Sequence, residues 1–241
     1  MKKIITTLVF IAFSTVSSKA IDLPSLPDLG MFSVTAGVAS NTSVWGASAK
    51  ETNFAENGSM VGGSTNKAHG VFVEDYASQF IELDVGRFIS VGYELASDKI
   101  STPTNVASEG GAAGTSTANE MTVAVDFVDF ETIYAKLNIP GGAYLKFGEV
   151  ETTMNIKKTG GTAGSVYGGK TVTGTSTGVG YQRFIGDSGF GFRFEGNYVD
   201  LDNVTTDNGA GATGNLNKIE ATNLEGATAK IALTYTLGRN N

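Results

Sequence analysis

The sequence predicts an all-β fold, an eight-stranded antiparallel up-and-down transmembrane β-barrel with four long external loops. Three observations carry that expectation. Segments of alternating apolar and polar residues recur along the chain. The clearest is Lys230 to Leu237, with Ile231, Leu233, Tyr235 and Leu237 on one face and Lys230, Ala232, Thr234 and Thr236 on the other. A period of two over eight residues is a strand. The connections between segments alternate short and long, as in barrels with short turns at one end and long loops at the other. An export signal opens the chain.

Lys2 and Lys3 precede a mostly apolar run from Ile4 to Val16, and Ser18-Lys19-Ala20 supplies small residues for cleavage after Ala20. That run falls short of the ~20 residues a spanning helix needs, so residues 1–20 read as a signal peptide. Residues 21–30, with Pro24 and Pro27, read as a periplasmic lead-in, and residues 31–241 as the barrel domain.

The first strand is Met31 to Ser40, with Phe32, Val34, Ala36 and Val38 on one face. A polar stretch, Asn41 to Asp75, reads as a loop. Tyr76 to Val85 sets Ile81, Leu83 and Val85 outward and Glu82 and Asp84 inward; Gly86-Arg87 turns; Phe88 to Ala96 sets Ile89, Val91, Tyr93 and Leu95 outward. Ser97 to Ala118 is a second loop. Asn119 to Ile139 is one long strand, because Met121, Val123, Val125 and Phe127 keep the parity of Ile133, Ala135 and Leu137, which places all of them outward. Ile139-Pro140-Gly141-Gly142 is a tight turn.

Ala143 to Met154 follows. Its parity sends Glu149 and Glu151 outward beside Leu145 and Phe147, so either a bulge intervenes or the strand leaves the lipid early. Asn155 to Lys170 is a third loop, and Thr171 to Phe184 a strand with Val179 and Tyr181 outward. Gly186 to Gly189 turns into Phe190 to Val199, where Phe192, Phe194 and Tyr198 face out. Asp200 to Glu225 is the fourth loop, and Gly226 to Leu237 closes the set.

The outward faces suit lipid, with Tyr93, Tyr181, Tyr198 and Tyr235 as aromatic-girdle candidates. The inward faces hold Glu82, Asp84, Glu94, Lys136, Lys146, Arg193, Glu195 and Lys230. Eight strands enclose an interior about filled by side chains, and buried charges are costly unless paired. These eight groups therefore read as a mutually neutralising plug; a narrow ion path with charged walls is the alternative. A soluble β-sandwich is the competing fold, because alternation alone does not distinguish a lipid face from a protein core.

The full chain carries −7, and loss of the three lysines of the signal leaves −10, which argues against nucleic acid. With no cysteine there is neither a disulfide nor a thiolate metal site. The 32 glycines suit tight turns, loops and crowded inward positions. Gly164 to Thr171 matches GxxxxGK[ST], and Gly209 to Gly214 matches GxGxxG, but neither lies between a strand and a helix, so both are chance matches. His69 is the single histidine and has no visible base–orienter arrangement, so it reads as a solvated loop residue. Asp200, Asp202, Asn203, Asp207 and Asn208 lack the spacing of a calcium loop. No cofactor, metal or catalytic residue is expected.

The C-terminal strand resembles the insertion signal of outer-membrane barrels, with Lys230, Ala232, Tyr235 and Leu237 as its candidate residues. Ala232 stands where that signal has glycine, and four residues follow Leu237. The mature chain resembles small eight-stranded barrels of the OmpA transmembrane-domain and opacity-protein type. Val91-Gly92-Tyr93, Ile139 to Lys146 and Asp202-Asn203-Val204 are similar to segments of outer-membrane proteins of marine alphaproteobacteria. The resemblance implies insertion by the barrel-assembly machinery into the outer membrane after export through the periplasm, and carries no catalytic residue across. The expected role is structural and non-enzymatic: a monomer surrounded by outer-membrane lipid, supporting membrane integrity and offering its loops to a surface ligand or phage. A small porin-like channel is the alternative.

Overall fold

A computed structural model describes residues 31–54, 60–109, 119–160, 167–209 and 216–238. The expected signal peptide and lead-in, Gly164 to Val166 and Ala210 to Gly214 lie outside the described residues. The strands are β1 (Phe32–Phe54), β2 (Met60–Val85), β3 (Ile89–Ala96), β4 (Ile100–Ser101), β5 (Asn105–Glu109), β6 (Asn119–Asn138), β7 (Ala143–Gly160), β8 (Lys170–Phe184), β9 (Phe190–Leu201), β10 (Val204–Asp207) and β11 (Leu216–Leu237).

Eight of these form the wall, in the order β1-β2-β3-β6-β7-β8-β9-β11, and β11 pairs antiparallel with β1. At membrane level the sheet thus closes on itself, whereas among the described residues Met60 to Tyr76 of β2 pairs with β1 alone. Short β4 and β5 pair with β6, and β10 pairs with β11, at the long-loop end.

The pairing register fixes the shape. From Val34 the row of directly opposed residues runs through Leu83, Val91, Ala135, Phe147, Thr177, Tyr198 and Ala227, and returns to β1 at Val44. The ring thus closes with a stagger of ten residues. For eight strands that corresponds to strands tilted by about 40°, with an interior that side chains fill.

The strands run further than the apolar alternation suggests. Much of Asn41 to Asp75 is β1 and β2, paired from Phe32↔Val85 up to Phe54↔Met60. β7 continues to Gly160, and β11 begins at Leu216. Beyond the lipid a wall strand needs no apolar outer face, so Ser, Thr, Gly and Lys on that side hide its period from a hydrophobicity reading.

One face assignment is corrected. β6 is a single strand, but its register against β7 shifts between Val128 and Glu131, and Asp129 has φ 53°. This is a bulge on β6 with its extra residue in the left-handed region, which Asp and Asn tolerate. It reverses the parity above it, so Phe127 turns inward and is buried, and Val125 packs beside it. Asn223 (φ 53°) plays the same part on β11, where Gly46 opposes Glu225 but Ser48 opposes Thr222. β7 has no shift of its own. Glu149 and Glu151 are therefore exposed on its outer face, while Val150, Thr152 and Met154 fill the inside.

Candidate functional site: the lumen and the lipid face

Outside, an apolar band encircles the lower barrel, and Ile89, Val91, Ile133, Phe147, Val179, Phe192, Phe194, Ile231 and Leu233 are all exposed. All four candidate girdle tyrosines lie on this outer face. Tyr235 packs its ring on Phe190 near the short-turn end, with centroids 4.7 Å apart, and Tyr181 lies opposite Ala143. Tyr93 and Tyr198 stand higher, donating to Glu131 at 2.5 Å and to Glu225 at 2.7 Å. Phe190 and Tyr198 are eight residues apart on β9, about 27 Å along the strand and about 20 Å along the axis of a barrel tilted by about 40°. The band thus approaches the ~25 Å height of a membrane barrel's apolar zone. Above it the outer wall is acidic, with Asp75, Asp129, Glu149, Glu151 and Asp200 exposed.

Inside, the polarity is reversed. Glycines oppose rings that lie flat across them: Gly37 faces Phe80, Gly92 faces Tyr134, Gly180 faces Tyr144 and Gly226 faces Trp45, and in each case a Cβ would collide with the ring. Large and small residues thus alternate along each inward row, which is how so narrow a barrel accommodates aromatic rings.

The charged side chains form two linked clusters. In the lower one, Glu82 accepts from both terminal guanidinium nitrogens of Arg193, at 2.7 and 2.6 Å, and from Lys136 and Tyr134, each at 2.8 Å. The Arg193 guanidinium also lies 4.5 Å from the Phe80 ring centroid. In the upper cluster, Lys146 reaches Glu94 and Glu195, each at 2.9 Å; Lys230 reaches Glu94 at 2.6 Å and Glu195 at 2.9 Å. Tyr144 donates to Glu195 at 2.6 Å and Ser78 to Glu94 at 2.8 Å. Lys146 also lies 4.1 Å from the Tyr134 ring centroid.

Asp84 stands apart from both clusters, nearer the short-turn end, and accepts from Ser33, Thr35 and Ser90. Counted with Asp84, the eight inward charges sum to zero. The structure thus brings seven of the eight candidate interior residues into direct ionic contact and leaves Asp84 held by hydroxyls. Sequence parity also held a signal that the reading above did not use: Tyr134 shares the face of Lys136, and Tyr144 that of Lys146. These rings are the scaffold on which the charges rest.

Below the clusters lies a vestibule of about 770 Å³, open at the short-turn end and lined by Asp84, Lys136, Asn138 and Gln182 among others. Above them, where the outer wall turns acidic, Trp45, Phe127, Phe130, Val150, Met154, Leu201 and Leu224 form a buried apolar layer. The Trp45 and Phe130 rings meet edge-on at 5.8 Å. An ionic inside is thus wrapped by an apolar outside at membrane level, and an apolar inside by a polar outside above it.

A ring closed at membrane level, an apolar outer belt between tyrosines and a polar interior decide the architecture. The chain is an outer-membrane-type β-barrel.

No family model matches it, and no curated protein matches it. Among solved structures it is similar to the outer membrane protein OprG of Pseudomonas aeruginosa, at 9% identity over 83% of this chain and 96% of that one, with a TM-score of 0.48. It is similar to the outer membrane protease OmpT of Escherichia coli, at 10% identity over 85% and 97%, TM-score 0.44. It is also similar to Ail, the attachment invasion locus protein of Yersinia pestis, at 11% identity over 82% and 99%, TM-score 0.35. None of these likenesses carries a residue role to this barrel or ties it to a particular bacterial group.

Lys230 and Ala232 point inward, and the Ala232 methyl packs with Ala39 and Phe80 where a glycine would leave a gap. Tyr235 and Leu237 point outward and are half-buried. His69 is exposed on the outer side of β2, opposite Ser48, in a strand and not in a loop. Among the described residues no group of three or more His, Cys, Asp or Glu is placed to hold a metal ion.

Proposed function

We propose that this barrel is a non-catalytic, closed outer-membrane protein that stabilises the membrane and presents its long-loop end to the exterior. The observation that supports this reading is the double filling of the lumen, by paired charges at membrane level and by an apolar layer above them. An ion would have to part the Glu82–Arg193 bond and then pass Trp45 and Phe130. Partial opening of a buried ion pair is costly, because each charge freed is left without solvent.

The reading includes export by the N-terminal signal, folding by the barrel-assembly machinery through the Lys230–Leu237 strand, and a monomeric state in lipid. Adhesion or phage docking through the long-loop end belongs to the same proposal. The rival is a small pore entered through the vestibule. Conductance across planar bilayers tests the choice. A closed barrel gives no stable current steps, in the native form or after Lys136→Met. Stable steps in the native protein that change with Lys136 or Arg193 would establish the pore.

A further inference from the structure

The outer face of the β1–β2 hairpin is not polar throughout, although it stands above the girdle tyrosine Tyr198. Val44, Val71 and Val73 are 46%, 74% and 61% exposed there. Val44 and Val71, with Ala227 of β11, floor a groove of about 480 Å³ on the outside of the wall. Gly46 makes room for it: its outward Cβ position meets nothing within 4 Å. The bulge at Asn223 bends β11 at the groove's edge.

The groove's rim is polar in a particular way. Tyr198 presents a ring, 45% exposed, and its hydroxyl donates to Glu225. Glu225 is directly opposite Asp200 across the strand pair, and both are exposed. Like charges so placed are unfavourable unless a donor-rich ligand lies between them. An aromatic face beside two carboxylates suits a sugar, whose C–H face lies on the ring and whose hydroxyls donate to the acids. His69 also lines the groove, but the carboxylates Glu225, Asp200 and Asp75 around it disfavour a phosphate. Val44, Ala227 and Tyr198, which line the groove, stand above the apolar belt on their strands.

We propose that this groove seats the junction of headgroup and acyl chain of an uncharged glycolipid of the outer leaflet. The proposal rests on the membrane placement above. The test uses the full mature chain in nanodiscs of phosphatidylcholine containing equal small fractions of monogalactosyl diacylglycerol and phosphatidylglycerol. After extraction into detergent, native mass spectrometry identifies the lipid retained. The expected result is enrichment of the galactolipid about thirtyfold over phosphatidylglycerol, the ratio two net hydrogen bonds supply. Gly46→Leu, whose Cβ enters open space on the groove side, and Glu225→Gln each abolish that enrichment while the heat-dependent gel shift of a folded barrel persists. Equal retention, preference for phosphatidylglycerol, or undiminished enrichment in Gly46→Leu overturns the proposal and leaves the membrane placement standing. Failure of the native chain to enter nanodiscs overturns both.

Discussion

Glu82→Gln is the sharpest perturbation of the lumen. Glu82 is the carboxylate for both Arg193 and Lys136, and its side chain is fully buried. The amide keeps the size and one acceptor oxygen. It loses the negative charge, so two cations face a neutral group in a site without bulk water. Of the four hydrogen bonds to the carboxylate, about two survive in weaker form. Hydrogen bonds to charged groups are worth about 1.5–3 kcal/mol each, and removing one partner of a buried pair costs about 3–5 kcal/mol. A loss of about 3–5 kcal/mol follows. Urea unfolding in detergent micelles, followed by the fluorescence of Trp45, the chain's one tryptophan, measures it as a shift in midpoint at constant slope. Adding Arg193→Met should recover part of the loss, with a coupling of about 1–3 kcal/mol in the double-mutant cycle. A Glu82→Gln loss below about 1 kcal/mol, with no coupling, would mean that water reaches these groups and that the lumen is not filled.

Two further predictions concern packing and pH. Gly92→Val drives a side chain into the Tyr134 ring and should prevent folding or cost more than about 3 kcal/mol, whereas Gly196→Ala, outward with open space around it, should change the same midpoint by less than about 0.5 kcal/mol. Asp126 lies above the bulge, outside the membrane; burial opposes its ionisation, but hydrogen bonds from Lys157, Lys99 and Ser101 outweigh that and hold its carboxyl at about 2. Because this folded-state value lies below the ordinary 3.8, its stabilisation is present above about pH 4 and is lost as pH falls through about 2. Hydrogen exchange in β4 and β6 should therefore accelerate across that interval, and Asp126→Asn should remove the pH dependence.

How much of this was legible in the sequence varies with height on the barrel. At membrane level the outer wall must be apolar, so Ile231, Leu233, Phe192 and Phe194 announce their strands and faces, and the inward charges follow by parity. Above the membrane the demand reverses: only the inside need be apolar, and Trp45 or Leu201 then stands among Ser, Thr, Gly and Asp without an alternating partner set. Most of Asn41 to Asp75, and parts of the other three stretches read as loops, are for that reason strands. The bulges were hidden for a different cause. Asp129 and Asn223 take left-handed backbone, which those residue types accept in turns as readily as in strands, so sequence does not place them. Their consequence, the inward turn of Phe127, needed the pairing register. The outer groove was likewise unreadable, since it is assembled from β1, β2, β9 and β11 only after the ring closes.

The alternating outer face of the barrel touches acyl chains. The chain contains no cysteine, so single cysteines from Ile231 to Thr236 can each carry a nitroxide in the barrel reconstituted in lipid. Collision with dissolved oxygen, which concentrates in acyl chains, should be high at Ile231, Leu233 and Tyr235 and low at Ala232, Thr234 and Thr236, with a water-soluble nickel reagent reaching none of the first three. Protection of Ile231 and Leu233 from both reagents would seal that face against protein and contradict the account.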